Sequence, residues 1–119
     1  MPGAHWGIRN KRSQRQVAAR VETAFDSATR NKGLLGRDAL AADTALILAP
    51  CNSIHTFFMR FPIDALFVAR DGRVIKVRRA MPAWRIAIAL RAYAVVELAA
   101  GAADLSDTRV NDLVELTAE

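Results

Sequence analysis

The sequence predicts a single, mainly β domain: an antiparallel β-sandwich or distorted barrel, jelly-roll-like, with one short helix near residues 23–33. Short apolar runs recur about every ten residues, and turn-forming residues separate them. The chain has 119 residues, enough for one hydrophobic core, and its 52% hydrophobic and 24% charged residues are ordinary for a globular protein. No apolar run reaches the roughly 18 residues that a membrane span needs, so we expect no membrane association.

The amino-terminal residues carry the excess positive charge. The chain has 17 basic and 12 acidic residues, and five of the basic residues precede the first acidic one, Glu22. We therefore predict a flexible basic arm over residues 1–15 and a folded, mostly β domain over residues 16–119. An arm that contacts phosphates is the alternative. The rest of the chain shows no aromatic ladder and no recognition helix, so the sequence does not favour a nucleic-acid partner.

Local patterns place the elements. Ala24, Ala28 and Leu35 lie near helical spacing, and Gly33 interrupts that spacing, so a short helix should end at or just before Gly33. Apolar or alternating runs predict strands, and Pro62 separates two of them. The predicted strands cover residues 16–21, 44–49, 53–59, 63–69, 74–80, 85–90, 94–100 and 112–116.

Asp-Gly at residues 71–72 predicts a β-hairpin, because a type I′ turn needs positive φ at both central residues. A two-residue loop sets the register of the two strands. The opposing pairs on one side are then Val68–Ile75, Leu66–Val77 and Asp64–Arg79. The other side carries Ala65 opposite Arg78 and Phe67 opposite Lys76. We expect that second side to be the more solvated one, and we expect Asp64 to form a cross-strand charge pair with Arg79.

Residues 50–59 contain the only cysteine and one of the two histidines. Along an extended strand Cys51 and His55 lie about 13 Å apart, too far for a Cys–His nucleophile pair unless the chain bends at Asn52-Ser53. We interpret Cys51 as a buried, unreactive thiol and His55 as a strand histidine that donates to a backbone carbonyl. Two histidines and one cysteine are too few ligands for a metal site, and no motif indicates a cofactor.

Two carboxylates, Asp64 and Glu97, are weak candidates for catalysis. Glu97 interrupts an apolar run, either at an edge or outward position or as a cleft carboxylate paired with an arginine. Trp84 follows a proline, so it belongs to a loop, where it either forms the floor of a ligand pocket together with Arg85 or packs over the end of the barrel. The candidate ligand-binding residues are Trp84, Arg85, Arg79 and His55.

Four segments of the chain resemble the DUF192 family of small, mainly bacterial proteins: RNKGLLGRDAL, SIHTFFMRFPIDALFVARDGRVIKV, AVVELAAGAA and VNDLVEL. They cover roughly residues 20–117 in the family's order and spacing. The resemblance implies a compact, mostly β domain with a short helix near the Gly-Leu-Leu motif, and it implies no established activity. The family's signature residues correspond here to Arg30, Gly33, Leu34, Pro62, Asp64, Phe67, Gly72, Val74, Glu97, Leu98 and Gly101.

Three functional hypotheses follow. The first is a non-catalytic binding module for a small polar ligand or a protein partner. The second is a hydrolase or transferase with Asp64 and Glu97 as acid and base, which requires carboxylates about 5–9 Å apart in a pocket. The third is a dimerisation domain, because residues 60–91 hold eight basic and two acidic residues while residues 92–119 hold one and six. We expect a cytoplasmic monomer or weak homodimer, since a single cysteine agrees with a reducing compartment.

Overall fold

A five-stranded sheet that is covered on both faces forms the centre of the fold. The computed structural model describes residues 5–118. The strands are β1 (Trp6–Asn10), β2 (Gln16–Ala18), β3 (Arg20–Ala24), β4 (Thr44–Leu48), β5 (Ser53–His55), β6 (Ile63–Val68), β7 (Val74–Met81), β8 (Ile86–Ile88), β9 (Ala94–Ala99) and β10 (Val114–Ala118), and the helices are α1 (Ser27–Lys32) and α2 (Ala102–Leu105). The central sheet has the order β3-β4-β9-β6-β7, a second sheet has the order β10-β1-β2, and β5 and β8 form a two-stranded sheet.

Two hydrophobic clusters lie on opposite faces of the central sheet. One fills the space toward the β10-β1-β2 sheet and includes Ile8, Leu66 and Val96. The other lies beneath the β5-β8 sheet and the loop after α1, and it includes Leu48 and Phe67. Strands β6 and β9 are therefore buried on both faces. This burial explains why their sequences are almost continuously apolar rather than alternating.

The mainly β prediction is confirmed, although the sheets of residues 5–118 do not close into a barrel. The predicted helix is also confirmed: the Asp26 side chain caps α1 by accepting from Thr29 N at 2.8 Å, and the helix ends at Gly33 with a φ of +48°. Strands β3 and β4 are parallel, because α1 and its loop carry the chain back between them. No helix among the described residues is long and apolar enough to cross a membrane.

The prediction of a flexible arm is wrong for residues 6–10, which form β1, the middle strand of its sheet. The side chain of Asn10 is buried and donates to Asp112 at 2.9 Å, and Arg12 Nε donates to the same carboxylate at 2.6 Å. The hydrogen bond from Arg12 is the main reason that the pKa of Asp112 is lowered to about 2. A basic residue of the expected arm thus pairs with a carboxylate near the other end of the chain. Residues 1–4 lie outside the described range.

The β6-β7 hairpin follows the predicted register in its middle and departs from it near the turn. The opposing pairs that agree with the prediction are Leu66–Val77, Ala65–Arg78 and Phe67–Lys76. Val68, however, pairs with Val74 instead of Ile75. The N–H of Gly72 donates to the carbonyl of Ala69 at 3.0 Å, and Gly72 is the residue of this turn with a positive φ, +90°. The predicted type I′ turn is therefore wrong.

The predicted Asp64–Arg79 pair is also wrong, because β7 carries an extra residue at this level. Arg79 and Ala80 together oppose Asp64 across the resulting β-bulge. The Arg79 side chain pairs instead with Asp104, at 2.8 Å. Phe67, on the side that was expected to be solvated, is fully buried because the second hydrophobic cluster covers it.

The carboxylate of Asp64 is bound entirely by backbone N–H groups. Asp64 is 1% exposed. Its Oδ1 accepts from Ala80 N at 2.8 Å, and its Oδ2 accepts from Gly101 N at 3.1 Å and Ala103 N at 2.9 Å. Hydrogen bonds of this kind stabilise a buried carboxylate without a counter-ion. Asp64 therefore ties β6 to the β7 bulge and to the start of α2.

Replacing Asp64 by Asn should lower the free energy of unfolding by about 2–4 kcal/mol, because the amide NH2 would face backbone N–H groups and leave a buried donor without an acceptor. Urea unfolding measures this change. Asp104→Asn is the control, since it removes only an exposed ion-pair partner and should alter stability little. Equal losses in the two variants would contradict the anchoring role of Asp64.

A second prediction concerns the close approach of the hairpin turn to β10. A Cβ atom at Gly72 would lie 2.3 Å from the carbonyl oxygen of Val114, whereas a Cβ at Gly36 would meet nothing within 4 Å. Both glycines have positive φ, so each alanine variant should lose about 1 kcal/mol from backbone strain. Gly72→Ala must also displace β10, and we expect a further loss of at least about 2 kcal/mol. Equal melting temperatures for the two variants would mean that β10 moves freely.

Candidate functional site

A cavity of about 360 Å³ opens on the face of the central sheet that the β5-β8 sheet covers. We call it the Glu97 cavity. Its apolar walls are formed by Leu34, Leu35, Leu48, Ile54 and Met59. Its polar and remaining lining residues are Arg30, Asn31, Lys32, Gly33, Cys51, Ser53, His55 and Glu97. The cavity is thus enclosed by helix α1, the loop after it, β4, β9 and residues 51–59.

Glu97 gives the cavity its chemistry. It lies on β9, the middle strand of the central sheet, between Leu46 of β4 and Ala65 of β6. Glu97 is 5% exposed, and no hydrogen-bond donor in residues 5–118 reaches its carboxylate. Burial raises its pKa from 4.5 to about 7, and the positive charge of Arg37 opposes only part of that rise. The outward interpretation of Glu97 is therefore wrong: it is a cleft carboxylate, but without an arginine bound to it.

The rim of the Glu97 cavity is positively charged. Arg30 and Lys32 both come from the last turn of α1. Arg30 Nη1 donates to the carbonyl of Phe25 at 2.7 Å, which holds the guanidinium against the cavity wall. At Gly33, which follows, a Cβ atom would lie 3.8 Å from Oε1 of Glu97. The backbone that ends α1 therefore passes directly beside the buried carboxylate.

Cys51 and His55 line the same cavity, because the chain bends at Asn52. The Cys51 thiol donates to the carbonyl of Ser53 at 3.1 Å. Burial raises the pKa of this thiol, and the nearby Glu97 carboxylate raises it further. A thiol that stays protonated is a weak nucleophile. Cys51 is half-buried and not fully buried as predicted, and its lack of reactivity stays a prediction. Within residues 5–118, no three side chains of His, Cys, Asp or Glu are grouped so that they could hold a metal ion.

Three of the predicted ligand-binding residues, Trp84, Arg85 and Arg79, lie outside the cavity, and only His55 lines it. The ring of His55 stacks on Phe57, with centroids 4.8 Å apart, and Phe57 stacks on Trp84 at 5.6 Å. His55 Nδ1 accepts from the N–H of Phe57 at 3.2 Å, rather than donating to a carbonyl as predicted. Arg85 is exposed, and its guanidinium approaches only main-chain carbonyls, at 3.4 Å or more. Arg79 pairs with an aspartate of α2.

The structure does not bring Asp64 and Glu97 together. Glu97 faces Ala65 across the β6-β9 pair, whereas Asp64 faces Leu98. Because side chains alternate along a strand, the two carboxylates point to opposite faces of the central sheet. Both oxygens of Asp64 already accept backbone hydrogen bonds. The hypothesis that these two residues form an acid–base pair is therefore wrong.

Three acidic side chains of residues 92–119 form ion pairs within the molecule, one of them with a basic residue of residues 60–91. Asp104 pairs with Arg79 at 2.8 Å. Asp107 and Asp112 both pair with Arg12, at 3.3 and 2.6 Å. These ion pairs partly neutralise the acidic half, which weakens the charge-based argument for dimerisation.

The sequence missed the contribution of α1 to this site, although one signal pointed to it. Four residues that line the cavity also correspond to signature residues of the family: Arg30, Gly33, Leu34 and Glu97. Residues 30–34 and residue 97 are far apart in sequence, so their joint appearance in a signature indicates a shared place in space. The apolar wall residues Leu48, Ile54 and Met59 gave no comparable signal.

Comparisons with known proteins agree with the fold. Residues 8–116 match the family model DUF192, described as an uncharacterized ACR. A protein of unknown function from Novosphingobium aromaticivorans has 24% identity and a TM-score of 0.80, over 93% of this chain and 83% of that one. A protein from Sinorhizobium meliloti, provisionally described as a transcription regulator, has 23% identity and a TM-score of 0.82, over 94% of this chain and 92% of that one. At these identities the likeness shows the fold alone. None of the curated proteins matches the sequence.

The raised pKa of Glu97 predicts a specific dependence of stability on pH. The folded state holds the Glu97 proton more tightly than the unfolded chain, whose pKa is near 4.5. The stability that this proton provides is present below pH 4.5 and is lost as the pH rises through 7. Relative to Glu97→Gln, the wild type should lose roughly 3 kcal/mol between pH 4 and pH 8. Urea unfolding across this range measures the difference, and Glu115→Gln, at an exposed position of β10, is the control. A constant difference would contradict the assignment.

Proposed function

The chain belongs to the DUF192 family, and we propose that it is a binding protein for a small zwitterionic molecule held in the Glu97 cavity. An ammonium group of the ligand binds the Glu97 carboxylate, and an acidic group lies toward Arg30 and Lys32. The observation that carries this proposal is the buried carboxylate of Glu97, which faces the cavity without a donor from residues 5–118.

The ammonium group supplies what Glu97 lacks. A carboxylate out of water is unfavourable unless a charge or hydrogen-bond donors compensate it. Leu46 and Ala65, its neighbours across the sheet, offer none. A ligand cation would stabilise the ionised form of Glu97, and the apolar walls of the cavity would strengthen that attraction by excluding water.

The acidic group of the proposed ligand would pair with the positive charge at the rim of the Glu97 cavity. Arg30 has five N–H donors, and the hydrogen bonds it makes go to neutral oxygens of Phe25, Ser27 and Ala49. Lys32 is exposed on the same turn of α1. A purely cationic ligand would meet these two side chains on entry and be repelled, whereas a zwitterion presents opposite charges to the floor and the rim.

Binding without catalysis agrees best with the remaining groups. The Cys51 thiol stays protonated, so it is a weak nucleophile. His55 Nδ1 accepts a backbone hydrogen bond, which leaves that nitrogen unable to act as a base. The free thiol also fits a reducing compartment, and the cytoplasm is our proposed location.

Titration calorimetry and thermal shift with each of the twenty standard amino acids test the proposal. A binding amino acid at 100 times its Kd should add about 2.7 kcal/mol, a shift of several degrees for a chain of this size. Affinity should rise between pH 6 and pH 8 as Glu97 ionises. Glu97→Gln should abolish binding, Lys32→Gln should weaken it about tenfold, and exposed Asp43→Asn should leave it unchanged.

Two results would overturn the proposal. One is the absence of any stabilisation by all twenty amino acids at millimolar concentration. The other is binding that survives Glu97→Gln with unchanged affinity, which would place the ligand elsewhere on the molecule.

A further inference from the structure

Strand β8 turns its large apolar side chains to solvent and its alanine to the core. Ile86 is 56% exposed and Ile88 is 48% exposed, whereas Ala87 between them is 2% exposed. A strand that packs on a hydrophobic core ordinarily has the opposite arrangement. Leu90 continues the exposed apolar sequence just beyond β8 and is 81% exposed. Packing within the domain therefore does not account for these three side chains.

Two exposed aromatic side chains lie near β8: Trp84 precedes the strand by two residues, and Phe58 contacts Trp84. Phe58 is 71% exposed and Trp84 is 56% exposed, and their rings meet edge-on with centroids 4.6 Å apart. Both residues have positive φ, +64° and +67°, which bulky residues rarely adopt. The buried Thr56 joins their two loops, since its carbonyl accepts from Met59 N and Trp84 N, both at 3.1 Å. We call this group of exposed apolar residues the apolar ribbon: Phe58, Trp84, Ile86, Ile88 and Leu90.

The segment that carries most of the apolar ribbon is basic. Residues 76–91 contain five basic and no acidic residues. One of these, Arg79, is paired with Asp104. Arg85 and Arg91 are exposed and meet no acidic side chain in residues 5–118. A partner that covers the ribbon therefore gains most if it carries negative charge beside its apolar surface.

We propose that the apolar ribbon binds an acidic, amphipathic segment of a partner protein. The apolar side chains of this segment cover Trp84, Ile86 and Ile88, and the carboxylates of the segment face Arg85 and Arg91. The aromatic pair supplies the rigid, large contact area that anchors such interfaces. The basic flank, which consists of Arg85 and Arg91, contributes to the orientation of the partner and to the rate of encounter more than to the affinity.

Other occupants fit the same surface less well. A second copy would place the same basic flank on both sides of a two-fold interface, so like charges would meet. A bilayer would bury the Ser53 hydroxyl and Nε2 of His55, which have no hydrogen-bond partner in residues 5–118. The two residues lie beside Ile88 and Ile86 on the exposed side of the β5-β8 sheet. A nucleic acid would gain no stacking from the three aliphatic side chains.

A random dodecapeptide display library tests the proposal. Peptides are selected on the wild-type protein and depleted on an Ile86→Glu/Ile88→Glu double variant, whose fold is checked by circular dichroism and thermal melting. Leu105→Glu is the control, because Leu105 is a 77% exposed apolar residue on α2, outside the ribbon. We expect enriched peptides that combine apolar and acidic residues. As synthetic peptides they should bind the wild type and Leu105→Glu equally, and the double variant at least tenfold more weakly.

Salt and two further probes complete the test. Raising the salt from 50 to 300 mM should weaken peptide binding severalfold. The proposal is overturned if no peptide distinguishes the wild type from the double variant, or if the enriched peptides carry no net negative charge. It is also overturned if sedimentation shows a dimer that the double variant loses. Binding to phosphatidylcholine–phosphatidylserine vesicles that the double variant loses, without peptide binding, would equally assign the ribbon to another occupant.

Discussion

The hydrogen bonds of the Asp64 carboxylate hold the rest of the structure in place. They fix the bulge of β7 through Ala80 and the start of α2 through Gly101 and Ala103. Because β9 leads directly into Gly101, the same bonds also fix the end of the strand that carries Glu97. The central sheet can thus bury two strands on both faces and still keep one register between β6 and β9.

The carboxylates of Asp64 and Glu97 differ in their hydrogen bonding because they lie on opposite faces of the central sheet. The Asp64 side faces α2, whose first N–H groups lie within hydrogen-bond reach of a carboxylate. The Glu97 side faces the loop after α1, where Gly33 brings backbone close to the carboxylate without any donor pointing at it. One acid therefore stabilises the fold, and the other is left to interact with whatever enters the cavity.

Much of the strand order along the chain could be predicted from the sequence, but the site could not. Apolar runs separated by turn residues indicated most strands, and Gly33 marked the end of α1. The parallel pairing of β3 and β4 and the bulge opposite Asp64 depend on contacts between distant segments, which local patterns do not encode. The sequence also could not predict which face of β8 is exposed, because an alternation of isoleucine and alanine does not indicate which residue type faces inward.

The position of Glu97 on the middle strand has a consequence for the lifetime of the molecule. Hydrogen bonding to β4 and β6 on both sides prevents β9 from shifting and exposing the carboxylate further to water. Above pH 7 the ligand-free molecule therefore ionises Glu97 at an unfavourable site, and the ammonium group of the proposed ligand would compensate that charge. Cellular proteases degrade the unfolded fraction, so occupied molecules would persist longer than empty ones. Under the proposed function, the copy number of the protein would then follow the supply of that ligand, with no change in the rate of synthesis.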